Sequence, residues 1–147
     1  MLTSGHFAQG MHYQSFRIYY EDTDAARIVY YANYLKYAER ARTDALRCAG
    51  ISQSDLLAQK GIGFVVRRCI LDFESPAGLD DEITVETRLL EIRKVRMSME
   101  QRILKGEKLL VRVMVDIAMI DHQRKPARIP DTIVQALQNH LTPQQGG

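Results

Sequence analysis

Three carboxylates, Glu21, Asp22 and Asp24, fall within four positions of the segment YEDTDAARIVYYANY (20–34), just ahead of a run with helical period. A carboxylate held near a carbonyl can attack it directly or take a proton from a water molecule. A helix start, here near Tyr31, offers unpaired N–H groups and the positive end of a dipole, which suit an oxyanion developing on that carbonyl. Asp24, the short apolar bridge Ile28-Val29 and the helix start are together the minimum parts for hydrolysing an activated acyl group. The same residues also have a plainer reading, in which Asp and Thr oxygens cap the helix and close the turn before it. A calcium loop is excluded, because its fifth position needs an oxygen ligand and its sixth a glycine, and Ala26 and Arg27 stand there.

The elements that must position these residues follow from periodicity. Over 32–49 the apolar residues Tyr34, Ala38, Ala41, Ala45, Cys48 and Ala49 recur at helical spacing opposite Lys36, Glu39, Arg40, Thr43, Asp44 and Arg47, and Gly50 ends the pattern. SQSDLLAQKG gives a second, short helical signal. From Gly63 the period becomes two. GFVVRRCILDF and KLLVRVMVDIAMI are apolar on both alternating faces, whereas EITVETRLL and VRMSMEQRI alternate apolar with polar residues. HYQSFRIYY reads as a strand before the long helix, and a short helix over 130–141 opens on Pro130. The expected order is one strand, one long helix and four strands in meander. This is an α+β domain over 12–141, an antiparallel sheet wrapped around one long central helix, with 1–11 and 142–147 as loose tails. Strands apolar on both faces predict a homo-oligomer that covers what the helix leaves bare.

Composition narrows the function. The chain has 147 residues, 46% of them apolar, enough for one core. Its 20 basic and 18 acidic residues are spread without a dense basic tract, which disfavours nucleic acid as a partner. No window is long and apolar enough for a membrane span or a signal peptide, so a cytoplasmic protein is expected. Cys48 and Cys69 lack metal-ligand or CxxC spacing, so two reduced thiols and no metal are expected.

YEDTDAARIVYYANYLKYAERARTDALR, followed by SPAGLDDEI and RKPARIPDTI, resembles the 4-hydroxybenzoyl-CoA thioesterase family of the hot-dog superfamily, and most closely its Tol-Pal-associated acyl-CoA thioesterase branch. The resemblance implies a hot-dog fold with paired subunits, in a dimer of dimers. It implies that Asp24 is the catalytic carboxylate and that the Tyr31 backbone N–H polarises the thioester carbonyl. The substrate would be an acyl-CoA, with coenzyme A as part of the substrate and no cofactor, or an acyl thioester on an acyl-carrier protein. Related sequences often place Gly-Gly or Ala-Gly where this chain has Ala26-Arg27, and the branch often has His where it has Tyr31, which points to a different acyl preference.

Around this centre, Tyr30 and Asn33 at the helix start are candidate substrate contacts, and Glu39, two turns beyond Tyr31, is placed to meet a polar part of the acyl group unless it pairs with Lys36 or Arg42. Coenzyme A brings phosphates, for which Arg93, Lys94 and Arg128 in basic turns are candidate partners. The four histidines read as surface residues, and no serine has a nucleophile-elbow setting. A rival class is a non-catalytic hot-dog scaffold that holds an acyl thioester or an envelope partner.

Overall fold

A computed structural model describes residues 3 to 142. Its six strands form one antiparallel sheet, β1 (His6–Ala8), β2 (Met11–Arg17), β3 (Ile62–Phe73), β4 (Glu82–Ile92), β5 (Arg96–Lys105) and β6 (Lys108–Asp121), in the order β1-β2-β4-β5-β6-β3. The long helix α1 (Asn33–Cys48) lies across the sheet; a short α2 (Gln53–Asp55) runs into a π-turn (Leu56–Lys60), and α3 (Asp131–His140) starts after Pro130. The helix can lie close because its sheet-facing stripe is small: Ala38, Ala41 and Ala45 are fully buried, flanked by Tyr34 and Tyr37. Tyr34, Tyr37, Ala38 and Ala41 pack on Ile83, Val85, Ile103, Val111 and Val113, which all point to the same face of β4, β5 and β6.

Three expectations are corrected. The segment 1–11 is not wholly a loose tail, because His6–Ala8 pairs with β2 in the register His6↔Tyr13 to Ala8↔Met11. Gln9 and Gly10 both have positive φ, 53° and 76°, the geometry of a two-residue primed turn that fits the twist of a hairpin. Of the C-terminal stretch only Thr142 is described, with its N–H on the Gly10 carbonyl; 143–147 lie outside the described residues. Second, the last four strands are not a simple meander. β4, β5 and β6 are consecutive hairpins, but β2 occupies the free side of β4, so β3 pairs with β6 at the far edge.

Third, the apolar surface left bare is not a sheet face. The face opposite α1 carries an ionic lattice, with Arg88 and Arg112 on either side of Glu100 at 3.7 and 3.9 Å, and Arg102 on Glu86 at 3.2 Å. Within the sheet the exposed large apolar residues are Val65, Val66, Ile70 and Phe73, all on the edge strand β3. Its doubly apolar pattern therefore marks an unpaired edge rather than a strand covered on both sides.

Candidate active site

The chain leaves β2, makes one 3₁₀ turn at Tyr20–Asp22, and returns on itself. Thr23 pairs with Val29 as an isolated bridge, which closes the loop 24–28. Inside it the Asp24 N–H donates to the Ile28 carbonyl and the Arg27 N–H to the Asp24 carbonyl, both at 2.9 Å. The Asp24 carboxylate accepts the Ala26 N–H on Oδ1 at 2.9 Å; among the described residues Oδ2 has no partner. This Asx turn is the plain chemistry expected of an aspartate here. It also leaves one carboxylate oxygen at the exposed surface. Arg27 closes the turn at φ 62°, in the left-handed region that costs a side-chain-bearing residue about 1–2 kcal/mol and glycine nothing. The turn thus keeps its shape with Ala26-Arg27, at the cost of that strain.

The loop is tied to the helix start and to the β3–β4 connection. The Asp22 carbonyl receives both the Tyr30 N–H at 3.2 Å and the Asn33 Nδ2 at 2.8 Å. Asn33 thus tethers the helix start to the loop through its Nδ2. The Asp22 carboxylate accepts the Tyr19 N–H at 2.9 Å, which makes it a turn residue. The Val29 N–H donates to the Ala77 carbonyl, and the Ala77 N–H donates to the buried Tyr34 hydroxyl at 2.9 Å. Beneath the loop the buried Tyr37 hydroxyl makes no hydrogen bond among the described residues; burial, then the nearby Asp22 carboxylate, raises its pKa.

α1 begins without a side-chain cap and without an acidic residue in its first turn. Its first backbone bonds are tight i→i−3 contacts, from Asn33 to Tyr30, Tyr34 to Tyr31 and Leu35 to Ala32. Among the described residues the Tyr31 and Ala32 N–H groups find no acceptor. The positive end of the helix is thus open beside the loop that carries Asp24. Aromatic rings surround it: Tyr30 lies 4.8 Å from Tyr31, and Tyr31 meets Phe73 of β3 edge-on at 6.2 Å. Both tyrosines are exposed, at 47% and 62%.

The remaining candidates divide. Glu39 lies on α1 and lines a pocket between α1 and β3, and among the described residues it pairs with neither Lys36 nor Arg42. Arg93, Lys94 and Arg128 come together, since the Ile129 N–H donates to the Lys94 carbonyl at 2.8 Å. They are not beside Asp24. The Asp24 loop contacts Gly78 and Leu79 ahead of β4, whereas Arg93 and Lys94 follow its end, on the order of 30 Å away for eleven extended residues. Arg93 also pairs with Glu91 at 2.6 Å, and Arg128 with Asp131 at 3.5 Å. Of the histidines, His12 is fully buried rather than on the surface, with Nε2 2.6 Å from the Ser4 carbonyl.

Comparison with known proteins decides the family, for the model of the thioesterase-like superfamily matches residues 19–137. The chain belongs to that superfamily. It is 39% identical to the acyl-CoA thioesterase YbgC of Haemophilus influenzae over 126 residues, 85% of this chain and 92% of that one. It is 39% identical to the acyl-CoA thioester hydrolase YbgC of Escherichia coli O6:H1 over 120 residues, 80% and 89% of the two chains. A probable thioesterase from Bartonella henselae superposes with a TM-score of 0.78 at 39% identity, covering 82% of this chain and 99% of that one. The 1,4-dihydroxy-2-naphthoyl-CoA thioesterase of Synechocystis superposes at 0.82 and 22% identity, over 88% and 97%, and shares the fold. The fold is the hot-dog fold, and the chain is a thioester hydrolase.

Proposed function

We propose that this thioester hydrolase acts on acyl-CoA, with Asp24 as its catalytic carboxylate and the Tyr31 N–H as its oxyanion donor. The observation that carries the reading is the open helix start, with two N–H groups unpaired among the described residues, next to an exposed loop whose Asp24 keeps an oxygen without a partner among them. The thioester carbonyl sits with its oxygen toward the Tyr31 N–H, which stabilises the negative charge as the carbon becomes tetrahedral. Asp24 either adds to the carbonyl carbon, giving a mixed anhydride that water opens, or removes a proton from the water that adds. In both routes the C–S bond breaks, and the products are a carboxylic acid and the free thiol of coenzyme A. Neither route needs a metal or redox cofactor.

Tyr30, Tyr31 and Phe73 form the mouth, and Glu39 lies farther along α1 to meet a polar part of the acyl group. Because Arg93, Lys94 and Arg128 are remote from Asp24 within one subunit, they serve as a phosphate rim only when a second copy presents them. We therefore infer a homo-oligomer, a dimer of dimers, assembled through the bare edge of β3. On the resemblance of the segment 20–34 we assign the protein to the Tol-Pal-associated branch, and we infer a cytoplasmic location. No helix among the described residues is long and apolar enough to cross a membrane. A thiol-release assay over a panel of acyl-CoAs and one acyl-carrier-protein thioester tests the reading. Turnover of acyl-CoA supports it, and no thiol release from any of them would overturn it.

A further inference from the structure

The face of α1 that begins at Tyr31 continues through Leu35 and Glu39 to Arg42 and Leu46, at i, i+4, i+8, i+11 and i+15. β3 runs beside it. Phe73 meets Tyr31 at the open helix start, while Phe64, Val65 and Val66, at the other end of the strand, line one pocket with Arg42 and Leu46. Farther along the same helix and strand lies this pocket of about 290 Å³, lined also by Met97, Met99 and Ile117. At about 30 Å³ per small group it holds about ten heavy atoms. Arg42 lies nine residues past the first residue of α1, about 13 Å along the axis.

Apolar walls alone would suit a plain hydrocarbon chain, but Arg42 does not. Its Nη1 donates to Gln101 Oε1 at 2.9 Å, and among the described residues no carboxylate comes within ion-pairing distance. Among the described residues the other guanidinium N–H groups have no partner, and Arg42 lines the pocket. Gln101 is fully buried on the core face of β5, and its Nε2 donates to the Ala38 carbonyl at 2.8 Å and to Thr87 Oγ1 at 3.0 Å. With both amide hydrogens on acceptors, its oxygen has to face Arg42, so the guanidinium is held from below. Burial already lowers the Arg42 pKa, opposed by Cys69 and Glu39, and a methyl-ended acyl chain would desolvate the cation further without giving it an acceptor.

We propose that this pocket is a subsite for the far end of the acyl group, and that Arg42, positioned by Gln101, selects aliphatic acyl groups carrying an oxygen acceptor there. The inference rests on the thioesterase reading. A carboxylate would pair with Arg42 alone; a hydroxyl would accept from Arg42 and donate to Glu39, so the two oxygen functions are separate arms of the test.

The experiment compares kcat/KM for octanoyl-CoA, ω-hydroxyoctanoyl-CoA and the mono-CoA ester of octanedioic acid. At least one oxygenated substrate should exceed octanoyl-CoA by about tenfold or more, the discrimination expected of a buried charged donor. Arg42→Met should bring that ratio to about one and Gln101→Leu should lower it; the ratio within one preparation cancels any loss of folded enzyme. If Arg42→Met does not fold, Arg42→Lys serves, because a flexible ammonium cannot keep both the Gln101 bond and the acyl contact. Turnover of all three substrates at similar kcat/KM, or a ratio unmoved by the variants, overturns the subsite and leaves the thioesterase reading standing. No turnover of any acyl-CoA overturns both.

Discussion

Tyr34→Phe removes one oxygen and keeps the ring. That oxygen is the acceptor for the Ala77 N–H at 2.9 Å, and both residues are buried, at 3% and 0% exposure. The substitution strands a backbone donor that water cannot reach, at a cost of about 1–3 kcal/mol. With unfolding entropy near 2.1 cal/mol/K per residue, the 147 residues give about 0.3 kcal/mol per kelvin, so Tm should fall by about 3–10 °C. The Ala77 carbonyl also takes the Val29 N–H, so the bond braces the strand that closes the Asp24 loop, and kcat should fall with stability. Differential scanning calorimetry with thiol release on the same preparation reads both quantities. A Tm within about 1 °C of the parent would refute the claim that this bond anchors the β3–β4 connection to α1.

Three further outcomes follow from the same contacts. Asn33→Ala should lower kcat more than it raises KM, because Asn33 Nδ2 pins the Asp22 carbonyl and with it the loop; a change in KM alone would make Asn33 a substrate ligand after all. His12 is buried with Nε2 on Ser4 and Nδ1 without a partner among the described residues, near Asp44 and His6, and burial lowers its pKa below the ordinary 6.5. The unfolded chain then binds the proton first, so stability is full above about pH 6.5 and declines below it; thermal unfolding across pH should show that decline in the parent and less of it in His12→Gln. Replacing Arg93 and Lys94 together by Ala should raise KM for acyl-CoA several-fold with kcat nearly unchanged, since phosphates are held alike in ground and transition states, and an unchanged KM would place them elsewhere.

What the sequence disclosed follows the strength of its periodic signals. The stripe Tyr34, Ala38, Ala41 and Ala45 specified α1 because only one face of that segment is small and apolar, and all four are buried. The hairpins at Arg93-Lys94 and at Gly106 were legible for the same reason, as breaks between alternating runs. The place of β3 was not, since a doubly apolar run looks the same at a sheet's centre and at an edge that a second chain covers. β1 was missed because three residues are too few for periodicity and Gln9-Gly10 is a weak primed-turn signal. At the site, the composition of 20–34 drew attention to Asp24, but the separation of Arg93 from that loop depends on which end of β4 each adjoins, which topology alone supplies. Gln101 was visible in principle: it sits in phase with Met97, Met99 and Ile103, and a polar residue at a core position needs partners.

Asp24→Asn tests the central claim most directly. The amide oxygen can still accept the Ala26 N–H, so fold and assembly should persist, with Tm close to the parent value, while the charge needed for attack or for proton removal is gone. Steady-state thiol release from the best acyl-CoA substrate should show kcat reduced by about a hundredfold or more, the range for losing a general base. A variant that stays folded and turns over within a few-fold of the parent would contradict the account and leave the carboxylates of YEDTD as turn and capping groups.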